Sequence, residues 1–543
     1  MTDRDRHARA WLGAAILVGA VLRIWGLWFG LPHPQARPDE VEAVSYALKI
    51  VHGDLNPHFF HWPSLHLYVL AFLFRAAVAV RAIIEPASAT PPFDHLVLLG
   101  RAYVAAAGVL TIPVLYLLAR RAAGKQTAVG AALLLAVAPL HVRDSHFAMT
   151  DVTMTCLVTL SLWLIVEAHV RLGESLSARQ AAGWRRGLHV TAAAGVAGGL
   201  AVGTKYSAAA VLAVAAASQF MLAASTPLRR RPSTWAPLLV FLAASAAGFL
   251  MATPYALLDF TTFRADLMFN FSHLAAGHGP DLGRGWVRHL TFSLPYGLGV
   301  AAFLAAGGGT LVALWRSSTP LVLVLVFVAA FYVGIGSGQT VFARYALPMI
   351  PAGALLAALG VEAVSLLRGR VVLVFPLLLA LVAAPSLANS VWLDVLLSRT
   401  DTRVLAARWL SARLPPDSTM FESGREYVSL AVTSPRLHRW YYDPSTRHFA
   451  GATPDMLPGW LVLHRSPLAE YTPVPAPIDD LARERYEVIQ EFPATRGEGN
   501  PGSYDQQDAF FLPMTGFRNV LRPGPTVVIY ARRDLAPAVP REP

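Results

Sequence analysis

Residues 11–31 read WLGAAILVGAVLRIWGLWFGL, and residues 37–40 follow as Arg37-Pro38-Asp39-Glu40. As a helix the first stretch is long enough to cross a hydrocarbon core of about 30 Å. The second puts two adjacent carboxylates just past the exit. An acidic pair at such a mouth is well placed for chemistry on a lipid-borne substrate. Two readings compete. It could be a general base, or a base with a charge partner or metal ligand. Taken alone it is better read as an ordinary solvated loop pair, and the Pro before it with Val41, Val44 and Leu48 after it suggests the start of an interfacial amphipathic helix, with Asp39 as N-cap.

The 543 residues are 55% hydrophobic and only 15% charged, against about 25% charged in an ordinary soluble domain. That composition implies a polytopic membrane protein with a soluble appendage. The net charge of +11 does not indicate nucleic acid, because the basic residues fall in short clusters between apolar segments. The single cysteine, Cys156, excludes an intramolecular disulfide and a cysteine-based metal site. Residues 11–31 are too long for a signal-peptide core, so they read as an uncleaved first helix that directs insertion.

Further apolar runs occupy 96–119, 126–141, 151–170, 189–204, 206–224, 236–256, 289–314, 319–338, 343–366 and 371–392. With the first helix they predict about eleven transmembrane helices. The run 64–84 could be another span or an interfacial helix. Leaving it out puts the clusters Arg120/Arg121/Lys125, Arg171/Arg179/Arg185/Arg186, Arg229/Arg230/Arg231, Arg316 and Arg368/Arg370 all in the cytoplasm with the N-terminus. The outer face then receives the loop 32–95 with its interfacial helices, the turns at His141–Asp151, Lys205 and Gln339–Arg344, and the loop 257–288. It also receives the chain beyond residue 392. Residues 1–392 are thus the membrane domain, and 393–543 a small extracytoplasmic α/β domain. In that domain a helix is predicted over Asp401–Leu414, and strands over Trp460–His464, Tyr486–Gln490 and Thr526–Tyr530.

Nearly all chemically suggestive residues lie on the outer side. His58, His61 and His66 alternate with Phe59, Phe60 and Trp62, which suits phosphate or metal contact, or an aromatic belt at the interface. Arg143, Asp144, His146 and Asp151 stand between two spans. Asp151 opens the second, where an ionisable group is either functional or a helix-terminal charge. Lys205-Tyr206 and Arg344-Tyr345 sit at two outer turns and could hold a phosphate or snorkel to headgroups. His273 and His278 share a loop with Asp259, Asp266 and Asp281; with His61 they are the candidate ligands if a divalent metal binds. There is no Walker sequence or His-Glu-x-x-His, no Asp-x-Asp follows the first apolar run, and Gly334–Gly338 follows no strand.

In order, these pieces resemble the C-type (GT-C) membrane glycosyltransferases, in particular glycosyltransferase family 39: the protein O-mannosyltransferases and the lipid A aminoarabinose transferases. The resemblance covers roughly residues 10–415. It rests on Asp39-Glu40, His61-Trp62-Pro63-Ser64-Leu65, Arg101 with Leu117–Arg121, Arg143–Asp151, Gly199–Tyr206, Arg344–Pro348, and Asp401-Thr402-Arg403 with Trp409. Trp62-Pro63-Ser64 departs from the family's double proline, and His61 stands where some relatives carry lysine.

The resemblance implies an inverting transfer from a polyprenyl-phosphate sugar to an acceptor hydroxyl of a lipid, glycan or protein, on the outer face of a bacterial inner membrane. It implies Asp39 as base, with Glu40 and Asp151 beside it. Lys205, Arg344 and His61, flanked by Tyr206 and Tyr345, would stabilise the leaving phosphate, with Arg143, Asp144 and His146 in acceptor or structural roles. It fixes no cofactor and leaves a divalent metal open. Two other classes compete: a transporter or flippase of lipid-linked sugars, whose expected inverted repeat is not evident, and a membrane scaffold for the C-terminal domain.

Overall fold

A computed structural model describes residues 3–84, 90–178, 180–224, 235–367, 371–450, 456–497 and 502–535. Arg179, Arg229–Arg231, Arg368 and Arg370 lie outside them. The chain divides into two units. One comprises Met1–Trp25 and Glu42–Val391, the other Gly26–Val41 and Trp392–Pro543.

The first unit is helical. In chain order its helices are α1 (Asp3–Ile24), the greater part of α2 (Pro38–Val51), α3 (Leu65–Ile84), α4 (Phe93–Ala123), α5 (Lys125–Ala136), α6 (Pro139–Asp144), α7 (Thr150–Ala178), α8 (Ala181–Val202), α9 (Ala210–Ala224), α10 (Ala236–Ala252), α11 (Tyr255–Leu258), α12 (Phe260–Ala276), α13 (Gly285–Arg288), α14 (Leu294–Leu298), α15 (Val300–Arg316), α16 (Thr319–Gly336), α17 (Met349–Leu367) and most of α18 (Val371–Leu397). Among the described residues eight helices are long and apolar enough to cross a membrane, or nine if the pair bent by 111° at Gly299 is one span. The expected eleven runs are all helical, but α5, α8 and α10 fall short of that test. α5 has only 12 residues, α10 has 17, and α8 (from Ala181) carries Arg185 and Arg186 in its second turn before its apolar part.

The physical reason α5 stops early is visible at its end. Pro139 cannot continue the helix, and the carbonyls of Leu135 and Ala136 turn to the buried guanidinium of Arg23, at 3.1 and 3.0 Å. The one charge within 11–31 thus caps a neighbouring helix whose last carbonyls would otherwise be unsatisfied. The run 343–366 also begins later than expected, because Ala343–Ala346 form a 3-10 turn ahead of α17.

α3 passes the span test on composition. Geometry limits where it can go. Its start lies level with residues 100–103 of α4, where His66 meets Tyr103 and Leu70 meets Gly100. Running alongside α4 toward Arg121 would leave its end about 40 Å from Phe93, yet the nine residues from Ile84 to Phe93 reach at most about 32 Å. Its buried residues, His66 to Phe74, are confined to its first half. Both facts fit a helix that does not traverse the bundle beside α4.

Charges sort to opposite ends of this unit. Lys125 pairs with Asp5, Arg121 with Glu167 at 3.2 Å, Arg171 with Glu167 at 2.7 Å, and Arg316 with Glu362 at 3.7 Å. These pairs join the start of α1, the α4–α5 turn and the ends of α7, α15 and α17. Small residues bring the helices close, as membrane packing requires. A Cβ on Gly199 would overlap the Ser245 carbonyl oxygen of α10, and one on Gly309 would overlap that of Leu356 in α17.

In the second unit a six-stranded sheet runs β3-β2-β1-β4-β6-β5. Its strands are β1 (Thr419–Glu422), β2 (His438–Asp443), β3 (His448–Ala450), β4 (Trp460–Arg465), β5 (Tyr486–Phe492) and β6 (Thr526–Arg532). β1 is parallel to β2 and β4; β6 is antiparallel to β4 and β5. Central β4 is buried on both faces, so it reads as a continuous apolar run. Trp460 and Val462 pack with α19 (Thr402–Arg413), while Leu461 and Leu463 pack with α20 (Ala476–Arg485). α19 starts where expected, its Asp401 cap accepting from the Arg403 N–H at 2.9 Å.

Candidate active site

The end of the helical unit opposite its ion-paired end is built from short turns. The Leu65 N–H donates to the Gly203 carbonyl at 3.0 Å, and the Ser64 N–H lies 3.2 Å from the Thr253 hydroxyl. His66 Nε2 is 3.0 Å from the Ala148 carbonyl oxygen. These contacts draw the starts of α3 and α7 to the ends of α8 and α10.

Asp151 and Lys205 meet there. The Lys205 ammonium donates to Asp151 Oδ1 at 2.6 Å, with the carboxylate 2% exposed and the lysine 22%. The ammonium also stands over the Tyr345 ring, 4.7 Å from its centroid. One side of this cation is therefore fixed by a carboxylate and a π-face, and its remaining donors are available to an anion. The neighbouring Arg344 is buried, with its guanidinium 4.4 Å above the Phe342 ring. Phe342 in turn contacts Tyr345 at 5.4 Å. Two cations from different turns are thus joined through one aromatic pair.

The aromatic ladder continues. Phe342 meets His278 at 5.0 Å, and His278 meets His273 at 5.4 Å. His273 stacks near Phe269, which stacks on His61 at 4.4 Å. His61 lies 3.7 Å from Asp266, and the same carboxylate accepts the Phe60 N–H at 2.6 Å. The Tyr206 hydroxyl donates to the Phe60 carbonyl at 2.9 Å. His273 is held below the usual histidine range by burial, then by His278, His61 and Arg344. A row of imidazoles leading to Arg344 is therefore neutral at His273, and accumulates no repulsive charge there.

The candidate metal ligands His61, His273 and His278 lie on this ladder, with Phe269 stacked on His61. Among the described residues no three His, Cys, Asp or Glu side chains converge to hold an ion. Arg143, Asp144 and His146 are buried at the foot of the same turns. The His146 ring nitrogens are each 2.9 Å from a carbonyl, those of Val142 and Trp25, which gives this residue a packing role.

Asp39 and Glu40 belong to the second unit. α2 begins at Pro38, with Asp39 and Glu40 in its first turn, so Asp39 follows the N-cap position instead of occupying it. Proline at N1 and acids in the first turn are the preferred chemistry of a helix start. Glu40 is 2% exposed and Asp39 half-buried. The Glu40 N–H donates to the Arg37 carbonyl at 3.1 Å. Phe342 and Phe269, which complete the ladder, are not singled out as site residues by sequence. An isolated phenylalanine in an apolar chain carries no signal.

Residues 87–258 match the family described as dolichyl-phosphate-mannose-protein mannosyltransferase. No curated protein sequence matches. Among solved structures, the chain is similar to apo ArnT from Cupriavidus metallidurans, at TM-score 0.53 and 16% identity, covering 98% of this chain and 99% of that one. It is similar to the oligosaccharyltransferase AglB from Archaeoglobus fulgidus, solved with an inhibitory peptide and a dolichol-phosphate. There the TM-score is 0.52 and the identity 19%, over 76% of this chain. The chain spans 59% of the length of AglB. The fold is that of the C-type glycosyltransferases.

Proposed function

We propose that this chain is a membrane glycosyltransferase that moves a sugar from a polyprenyl-phosphate donor to an acceptor hydroxyl on the extracytoplasmic face. The observation that carries the reading is the Lys205 ammonium, pinned by Asp151 and Tyr345 and linked through Phe342 to Arg344. A polyprenyl phosphate of the kind seen with AglB leaves as an anion and needs no general acid. It needs preorganised cations where its charge develops. Lys205 and Arg344 supply them, and His61 lies further along the same ladder.

In the proposed step the acceptor oxygen attacks the anomeric carbon. The bond from that carbon to the phosphate oxygen breaks, and the electron pair leaves with the phosphate. Asp39 takes the hydroxyl proton as the new bond forms. Attack opposite the phosphate inverts the anomeric centre. Asp151 acts by orienting Lys205. Glu40, buried in the first turn of α2, supports Asp39. The charge sorting of the helical unit favours an orientation with Asp5, Arg121 and Arg316 in the cytoplasm of a bacterial cell and the C-terminal unit outside.

Asp39→Asn tests the base. Transfer should fall by about 10²–10⁴-fold while binding of polyprenyl phosphate is retained. Full activity in that variant would refute the assignment.

A further inference from the structure

The strongest cluster of buried charge outside the groups so far assigned lies in the unit of Gly26–Val41 and Trp392–Pro543. The Arg37 guanidinium pairs with Asp508, their side chains 1% and 3% exposed. Its Cζ stands 5.7 Å from the Phe510 ring, which packs edge-on against Phe29 at 5.4 Å. Next to it Arg403, also 1% exposed, donates to both oxygens of Asp401, at 2.9 and 2.7 Å. Arg403 also donates to the backbone carbonyls of Gln35, at 3.1 Å, and Tyr427, at 2.8 Å. Gly30 has φ +66°, and any Cβ there would run into Ala36. The segment between the first helix and α2 is therefore folded as part of the C-terminal unit, gripped at Gln35 and Arg37.

Buried ion pairs are poor stabilising devices: apolar replacements of similar size often do as well or better. What two such pairs do well is fix one geometry, and here the geometry fixed is the approach to α2. Arg37 is the residue before the helix, and its carbonyl accepts the Glu40 N–H. Two positions after Arg37 stands Asp39. Tyr427, whose carbonyl Arg403 holds, has its phenol pushed above the usual tyrosine range by burial first, then by the Glu426 and Asp39 carboxylates.

We propose that Asp508 and Arg403 are positioning residues for Asp39, so that the C-terminal unit is a working part of the transferase and not an appendage. The inference rests on Asp39 being the base. It implies that a chain lacking residues 502–514 binds its lipid donor yet transfers poorly.

The test uses the full-length protein and three variants: Asp508→Asn, Arg403→Lys and the apolar pair R37M/D508L. In Asp508→Asn and Arg403→Lys, kcat should fall roughly 10²-fold, the cost of about 1 Å of misplacement, with KM for the polyprenyl-phosphate donor unchanged. Amide hydrogen exchange at Arg37, Asp39 and Glu40 should accelerate in both. R37M/D508L should match wild-type thermal stability and still show the low kcat, which separates positioning from loss of fold. Wild-type kcat and exchange in Asp508→Asn would overturn the inference while leaving the base assignment intact, provided Asp39→Asn is inactive. If Asp39→Asn is itself active, the base reading fails, and unchanged exchange in Asp508→Asn would then sink the positioning claim separately.

Discussion

Asp151 and Lys205 allow the functional and the structural readings of one ion pair to be separated. Lys205→Met removes the ammonium from a carboxylate that is 2% exposed and 2.6 Å away. Stranding a buried charge in this way costs about 3–5 kcal/mol. Asp151→Asn with Lys205→Met removes both charges and keeps similar volumes, so most of that loss should return. Catalysis should behave otherwise. Losing one preorganised donor to a developing oxyanion costs about 10²–10³ in rate, and the second substitution restores no cation. Thermal unfolding in detergent and initial transfer rates, measured on the two single variants and the double, give both halves of the cycle. Stability should recover in the double variant and rate should not. Recovery of both would mean that the pair is only a structural staple.

Two further outcomes follow from packing and burial. His33 is held down to about 3, by burial first and then by Arg403, against the opposing pull of Asp401. Below an unfolded value near 6.5 the unfolded chain therefore binds a proton that the folded chain does not. Stability falls as pH drops through that window, by up to about 1.4 kcal/mol per unit. His33→Gln should flatten the decline in unfolding midpoint between pH 7 and 5, and parallel declines would refute the assignment. Gly309→Leu should cost about 1–3 kcal/mol through the α15–α17 crossing, whereas Gly307→Leu, with nothing within 4 Å, should cost little. Equal unfolding midpoints in the two variants would contradict the close-packed crossing.

Much of this architecture is legible in the chain because membrane helices and central strands announce themselves as long apolar runs. Trp460–His464 and Thr526–Tyr530 are strands for that reason, and among the described residues Arg121, Lys125, Arg171 and Arg316 gather at one end in ion pairs. Several features were not legible. The three strands at one edge of the sheet, β1 to β3, are short or half-exposed and carry no strong period. α5 ends early through a capping arginine 112 residues away. The pairing of Arg37 with Asp508 spans 471 residues, and no local pattern encodes a contact of that range. The site shows the same division. Lys205, Arg344 and Asp151 stand out as charges beside apolar runs, but the phenylalanines that join them look like any other core residue.

The central claim is sugar transfer from a polyprenyl phosphate, and the direct measurement is donor turnover by the purified protein. Supplied with a polyprenyl-phosphate sugar and a cell-envelope extract as acceptor, the wild-type chain should release free polyprenyl phosphate. It should place one sugar of inverted configuration on the acceptor for each donor consumed, with Asp39→Asn slower by about 10²–10⁴-fold. Equal turnover with a nucleotide sugar, or movement of intact donor across a vesicle membrane without cleavage, would contradict the account.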